Sequence, residues 1–173
     1  MLYGPPASGK DTITKQLQEL DPRFLLHRRM KVGSGNSAGY RMGSAEQLQA
    51  ARAAGRVLYE NSRYGNTYAF VSGQLEEDLA LGIPVLHVGQ VTGVRALKAY
   101  PIRWVTVALW CSREESEARA RARGSQDVQA RLRAWEETRV DFEGAEGEFE
   151  LVVDTGAVGV EAAARRLLSL VAG

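Results

Sequence analysis

Cysteine is nearly missing from this chain: Cys111 stands alone among 173 residues. A single thiol excludes an internal disulfide and a thiolate metal cluster. Histidine is almost as scarce, with only His27 and His87, and that argues against a structural zinc site. Long apolar runs are lacking as well; none approaches the roughly 20 residues that span a bilayer. No signal peptide precedes the first motif, so the chain reads as cytoplasmic, without a membrane partner. An excess of one charge is also absent. The 22 basic and 21 acidic residues leave a formal net charge of +1, which gives no reason to expect a nucleic-acid partner. There is no internal repeat and no low-complexity linker. Oligomeric state is not legible.

What remains is the profile of one globular domain. Hydrophobic residues make up 45% and charged residues 25%, and the length suffices to bury a real core.

The residues that organise the chain come first: Gly4-Pro5-Pro6-Ala7-Ser8-Gly9-Lys10-Asp11-Thr12. A glycine, four residues and Gly-Lys lead straight into a helical stretch carrying Ile13, Leu17 and Leu20. Such a loop turns backbone N–H groups inward, and the helix behind it aims its positive dipole end at the same point. Lys10 adds a cation able to reach terminal phosphates. Gly4, Ala7, Ser8, Gly9, Lys10, Asp11 and Thr12 are therefore the candidate cradle for a nucleoside triphosphate. The strict motif has Ser or Thr directly after Lys to hold Mg²⁺; here Asp11 takes that place and the hydroxyl follows at Thr12. A carboxylate beside a triphosphate is repelled unless a cation lies between, so Asp11, with Thr12, is the candidate metal ligand.

Further along, strand and helix patterns alternate, the sign of a parallel sheet covered by helices. Phe24 to His27 reads as a short strand that runs into Arg28, Arg29 and Lys31. The Gly33-Ser34-Gly35-Asn36-Ser37 loop follows, then Tyr40-Arg41-Met42 and a helix opened by the Ser44/Gln47 capping box. Strands are expected over Val57–Tyr64 and Thr67–Val71, so residues 28–71 form a small mixed insert. Pro84–Val88 and Trp104–Trp110 read as buried strands, Phe149–Val153 as the last strand, and residues 158–171 as the closing helix. Ser112 and Glu115 make a second capping box, opening an Arg-rich helix that breaks at Gly124; another helix covers about 126–140.

Phosphoryl transfer needs positioning and cancellation of negative charge more than a covalent catalyst. Arg119 and Arg123 share one helical face, and Arg131 lies beyond the Gly124 break. These three are the candidate catalytic cations with Lys10, on a lid over 113–139 that hinges at the glycine. Arg121 and Arg133 read as solvated. Gln90 stands at the C-terminal end of a sheet strand, where α/β proteins hold ligands, while His87 alternates away and reads as packing. Trp104, Trp110 and Trp135 read as core.

Taken in order, these residues resemble the guanylate kinase family of nucleoside monophosphate kinases over nearly the whole chain. Arg28-x-x-Lys31 is similar to that family's arginine pair that grips the acceptor phosphate, and Tyr40 to its phosphate-binding tyrosine. Val57-Leu58-Tyr59-Glu60 resembles the strand carrying a guanine-reading glutamate, and Tyr64-Gly65-Asn66-Thr67-Tyr68 its Gly-Asn-Tyr-Tyr turn. Arg119-x-x-x-Arg123-Gly124 and Val128-x-x-Arg131-Leu132 are similar to its lid. The chain departs from the family where aspartates usually end a strand, at Val88 and Gln90; where a small hydroxyl residue helps read guanine, at Phe70; and at Lys31, which cannot fork as arginine does. Ribose 1,5-bisphosphate kinase is a second resemblance, through Gly-Lys-Asp and a hydroxyl at 9–12, the His27-Arg28 pair and the same missing aspartates.

The resemblance implies a P-loop kinase α/β fold of three layers, with a parallel sheet, the mixed acceptor-binding insert and a helical lid. The core would comprise residues 1–27, 72–112 and 140–173. It implies transfer of the γ-phosphoryl group of ATP, with Mg²⁺, to GMP held by Arg28, Lys31, Tyr40, Glu60, Tyr68 and Gln90. Ribose 1,5-bisphosphate or another sugar phosphate is the alternative acceptor. A non-catalytic phosphopeptide-binding module is the alternative of another class, and the retained Lys10, Arg119, Arg123 and Arg131 speak against it.

Overall fold

The structure, a computed structural model, describes residues 1–35, 37–63, 65–125 and 127–172. Asn36 of the glycine-rich loop and Tyr64 of the turn lie outside the described residues.

The chain starts with β1 (Leu2–Tyr3), turns through the glycine loop into α1 (Lys10–Leu20), and returns as β2 (Phe24–Leu26). A mixed subdomain follows: β3 (Met30–Val32), β4 (Arg41–Gly43), α2 (Ala45–Ala53), β5 (Val57–Arg63) and β6 (Asn66–Val71). Next come α3 (Ser72–Leu81), β7 (Ile83–Val85), β8 (His87–Val88), α4 (Val91–Lys98) and β9 (Val107–Trp110). The last stretch holds α5 (Arg113–Ala122), α6 (Val128–Phe142), a 3₁₀ turn at Glu146–Glu148, β10 (Leu151–Asp154) and α7 (Val160–Ala172).

All pairings in the main layer are parallel. β1 lies between β8 and β9, β10 flanks β9, and β2 pairs with β7. Residues 83–88 run from one pairing to the other through Leu86, whose carbonyl accepts from Leu2 N–H, so the strand order is β2, β7/β8, β1, β9, β10. The expected Pro84–Val88 strand is thus two short ladders joined at one residue. The ladder of the expected Trp104–Trp110 strand begins at Val107, and the Trp104 indole N–H donates to the Tyr100 carbonyl.

Both faces of the sheet are covered. Ile13 and Leu17 of α1 meet Ala163, Ala164 and Leu167 of α7 over Val107, Leu109 and Val153. On the other face Tyr3, Leu86, Val88 and Ala108 pack with Val91, Val94 and Leu97 of α4. Apolar burial at roughly 25 cal/mol per Å² is what holds these layers together. Tyr3 is fully buried, and its phenol donates to Asp141 Oδ2 (3.1 Å). Burial, then that carboxylate, raises its pKa. Asp141 also accepts the Val91 N–H at 2.7 Å, so one carboxylate ties α6 to the start of α4.

In the mixed sheet, β3 pairs in parallel with β4 and antiparallel with β6, and β5 pairs antiparallel with β6. Strands β3 and β4 flank the expected glycine-rich loop, in stretches of the mixed insert to which the sequence reading assigned no element. They form because Leu48 and Ala51 of α2 cover Met30, Ala69 and Val71 on one face, giving short polar strands a partner that local propensity does not supply. Both expected capping boxes are present, Ser44 with Gln47 and Ser112 with Glu115.

Gly4 sets the distance between loop and sheet. Its φ is +146°, and a Cβ there would lie 2.1 Å from the Leu109 carbonyl oxygen. Gly4→Ala is expected to destabilise the fold by about 2–4 kcal/mol, read as a lower denaturant midpoint at unchanged slope.

Candidate functional site

The loop between β1 and α1 is held by its carbonyls. Lys10 Nζ donates to the carbonyls of Gly4 (2.7 Å) and Pro5 (2.9 Å). Ser116 Oγ of α5 donates to the Pro6 carbonyl (2.9 Å) and Arg119 to that of Ala7 (3.2 Å), while the Thr155 hydroxyl lies between the carbonyls of Ser8 (3.1 Å) and Trp110 (2.9 Å) and shares its proton between them. In a trans peptide the N–H points opposite its carbonyl. Tying the Pro6 and Ser8 carbonyls outward therefore turns the N–H groups of Ala7 and Gly9 toward the cavity that residues 6–11 line. Ala7 takes a left-handed backbone (φ +60°), a small strain held by these anchors.

That cavity, of about 250 Å³, is lined further by Arg29, Tyr40, His87, Val88, Gly89, Arg123 and Arg131. Four cations thus converge on it: Lys10, Arg29, Arg123 and Arg131. Lys10 is half-buried, and loss of hydration brings its pKa down from 10.5 to about 8, against the opposing pull of Asp11. A second cavity on the far side of the loop is lined by Ala7, Gly9, Thr12, Ile13, Arg119, Arg123, Thr155, Val158 and Val160. Arg123 alone among the arginines lines both.

The expected residues divide between these places. Asp11 lines the first cavity and Thr12 the second, so the structure does not bring the two together as ligands of one ion. Arg119 belongs to the second cavity, where its guanidinium also meets the Thr155 hydroxyl (3.0 Å) and carbonyl (2.8 Å) and Glu115 (3.7 Å). Arg131 borders the first while pairing with Asp127 at 2.9 Å. Arg121 pairs with Glu117 on the surface.

Arg28 is exposed and lines neither cavity; its neighbour Arg29 does. The Arg29 guanidinium lies 4.6 Å from the Tyr68 ring centre, 5.7 Å from that of Tyr40 and 5.8 Å from that of Phe70. An extended chain puts residues two apart on one face, so Arg29 goes with Lys31. The i, i+3 spacing of Arg28 and Lys31 is incompatible with one strand face. Lys31 is buried, its ammonium donating to the Ser34 carbonyl (2.6 Å) and lying 5.7 Å from the Tyr40 ring centre.

Glu60 is likewise on the wrong face. It opposes Ala69, which packs under α2, and Arg52 of α2 grips its carboxylate at 2.8 and 3.0 Å. Tyr59 and Asn61 take the other face, with Asn61 opposite Tyr68. Their side chains donate to Gln90 Oε1 at 2.6 and 3.0 Å. Gly93 makes this possible, since a Cβ there would meet the Tyr59 ring at 2.7 Å. Gln90 lines a third cavity with Ser62, Arg63, Ala130, Arg133, Ala134 and Glu137, between β5 and α6. Arg133, read as solvated, is on its wall.

His87 is the clearest miss. Leu86 and Val88 are in the core, so His87 takes the opposite face and meets α1: Nε2 is 2.8 Å from Thr14 Oγ1, and Nδ1 is 3.6 Å from Asp11 Oδ1. Strand alternation was read from Gln90, but Gln90 lies past the strand, before the first residue of α4, and shares no parity with it. Burial, then the Lys10 charge, lowers the His87 pKa to about 4. His27, deeply buried, bonds Asp78 through Nδ1 (2.7 Å) and stacks on Phe70. Asp78 also takes Arg41 at 2.7 Å, so this group fixes the root of β4 against α3.

Comparison with known proteins follows the same outline. No protein-family model matches the chain. A guanylate kinase of Parasynechococcus marenigrum is 30% identical over 163 residues, covering 88% of this chain and 87% of the relative. One of Synechococcus strain CC9902 is 29% identical over 159 residues, 88% and 84% of the two chains. One of Frankia casuarinae is 28% identical over 180 residues, 100% and 96%. Among solved structures, guanylate kinase from Anaplasma phagocytophilum superimposes with a TM-score of 0.66 at 17% identity, over 99% of this chain and 84% of that one. Shikimate kinase from Acinetobacter baumannii gives 0.55 at 18%, over 99% and 90%. At these identities the two structures carry the fold alone.

Lys10 holds its proton only below about pH 8 in the free protein, and the charged form is the one that attracts phosphate. Affinity for inorganic tripolyphosphate is therefore expected to fall above that pH, by up to about tenfold per unit, in a calorimetric titration. Arg29→Met is expected to weaken the same binding by roughly tenfold and Arg28→Met by less than about threefold.

Proposed function

The chain belongs to the guanylate kinase family, and from that premise we propose that this P-loop phosphotransferase moves the γ-phosphoryl group of ATP onto GMP. The observation that carries the proposal is the convergence of Lys10, Arg29, Arg123 and Arg131 with the N-terminus of α1 on one cavity. A donor and an acceptor that both bear phosphate bring several negative charges together, and four cations offset them.

The second cavity, between Thr12, Arg119 and Val158, suits the nucleoside end of the donor, with Arg123 bordering both halves of it. Arg29, Lys31, Tyr40 and Tyr68 suit the acceptor phosphate, since they share one face of the mixed sheet. Fixed aromatic rings under the Arg29 guanidinium limit its rotamers, which favours a bidentate grip on phosphate. Tyr59, Asn61 and Gln90 then border the base end of the acceptor.

No general base is required, because an acceptor phosphate oxygen is already anionic. Asp11 fits a divalent cation: its carboxylate side chain is 78% exposed and lines the cavity proposed for the phosphates. Mg²⁺ held there would neutralise the donor phosphates. Chain groups do the rest: the loop N–H groups and Lys10 orient the donor, and Arg123 and Arg131 meet charge on the transferring group.

A coupled assay of ADP release with ATP and Mg²⁺ tests the reading. GMP is expected to support turnover at least roughly tenfold above ribose 1,5-bisphosphate; the reverse order would overturn GMP as acceptor. Because Arg52 holds Glu60 on the α2 face, Glu60→Gln is expected to change the KM for GMP by less than about threefold.

A further inference from the structure

An ion pair bridges the polar cavity between β5 and α6. Arg63 Nη2 of β5 donates to Glu137 Oε2 of α6 at 2.8 Å, and both residues line the cavity with Ser62, Gln90 and Arg133. The Glu137 side chain is 65% exposed and that of Arg63 29%. An ion pair so open to water adds little to stability, so an incoming ligand can exchange its partners at small cost. Only one N–H···O bond joins the two; among the described residues the second carboxylate oxygen and the other guanidinium nitrogens have no partner. Gln90 adds to the same wall. Its Oε1 accepts from Tyr59 and Asn61, which leaves its amide N–H groups as donors. Asn61 Oδ1, on the amide that bonds Gln90, is buried without a partner, an acceptor that still calls for a donor.

We infer that Arg63 and Glu137 read the base of the acceptor, and that Glu137 is the carboxylate that selects a 2-amino-6-oxopurine over a 6-aminopurine. The inference rests on the kinase reading above, because the acceptor is what brings a base to this cavity. Guanine presents O6 as an acceptor with the N1–H and N2–H donors beside it. A guanidinium next to a carboxylate complements that edge: Arg63 donates to O6, and the two Glu137 oxygens accept from N1–H and N2–H. Adenine presents an amino donor at C6 and a lone pair at N1, setting N–H against Arg63 and a lone pair against Glu137. The fitting base replaces the bridge partner for partner, with charge-assisted bonds on both sides. The misfit leaves both charges unmet, and that asymmetry is what discriminates. Glu60 cannot take this part, since Arg52 holds it on the α2 face. Arg131 precedes Glu137 on α6 by six residues, about 9 Å along the axis. One helix therefore carries a group facing the base and another facing the phosphates.

Acceptor choice decides the matter. ADP release with ATP and Mg²⁺ is measured with GMP, with AMP and with inosine monophosphate, which keeps O6 and N1–H but lacks the 2-amino group; calorimetry follows binding of the same three. The unaltered protein is expected to prefer GMP to inosine monophosphate by at least about tenfold in kcat/KM, and to AMP by about a hundredfold. Glu137→Gln, at an exposed position that leaves the core intact, is expected to lower the GMP-over-AMP ratio by at least about tenfold and to bring GMP and inosine monophosphate within about threefold. Arg63→Met is expected to weaken both of these alike, since both carry O6, with their ratio moved by less than about threefold. An equal loss with all three acceptors in both variants, the mark of an ion pair that only shapes the cavity, overturns the inference. So does a GMP-over-AMP ratio unmoved by Glu137→Gln. In either event GMP-dependent ADP release by the unaltered protein keeps the kinase reading. Glu137-dependent binding of GMP over AMP without ADP release would instead sink the kinase reading and leave the base site in place.

Discussion

The carbonyls of Gly4 to Ser8 each meet a donor, and the rest of the molecule is arranged to supply those donors. Lys10 takes two of them, α5 supplies Ser116 and Arg119, and Thr155 follows β10. Each bond contributes only about 1 kcal/mol net, but together they fix the direction in which the loop presents its N–H groups. Three separate stretches of chain must be in place before the cradle exists. This explains why a short loop depends on a parallel sheet: β1 ends beside β9, whose next residues lead into α5, and β10 ends beside β9 at Thr155.

The acceptor side depends on a different constraint, the two-sidedness of a strand. On the mixed sheet, Met30, Glu60 and Ala69 belong to the face under α2, while Lys31, Asn61 and Tyr68 belong to the face toward the cavity. A shift of one residue exchanges the two sets completely. Arg29 is on the inner face for the same reason. Its guanidinium against three aromatic rings combines cation–π attraction with a reduced rotamer set, which suits a group that must wait in place for a phosphate.

Much of this was legible in the sequence, and the parts that were not share a cause. The glycine loop, α1, both capping boxes, the parallel sheet and the amphipathic α7 follow from local pattern. Strand β3 was invisible because its Met30 is covered by Leu48 and Ala51, far along the chain, and β4 because it depends on pairing with β3. The cavity residues were misassigned wherever motif spacing was preferred to strand parity. Arg28 was chosen over Arg29 and Glu60 over its neighbours, though alternation with Lys31 and with Asn61 would have corrected both. His87 was set aside through parity counted from Gln90, a residue beyond the strand. Thr155 and Ser116 carry no motif at all; only the folded structure brings them to the loop.

Asp11 and His87 are best understood together. A carboxylate after Lys10 adds negative charge where phosphates bind, and alone it would weaken the cradle. His87 stands across from it and shares Thr14 with the first turn of α1, so the ring orientation is set by the helix that begins the cradle. Burial of the ring, then the charge of Lys10, lowers the His87 pKa. The same burial lowers the Lys10 pKa toward 8, so the loop sits near the point where either a bound anion or a bound cation tips its protonation. A phosphate entering the cavity would favour the charged form of Lys10. The start of α1 thus sets Lys10, Asp11 and Thr14 around one corner of the cavity, where Thr14 and Asp11 both meet His87.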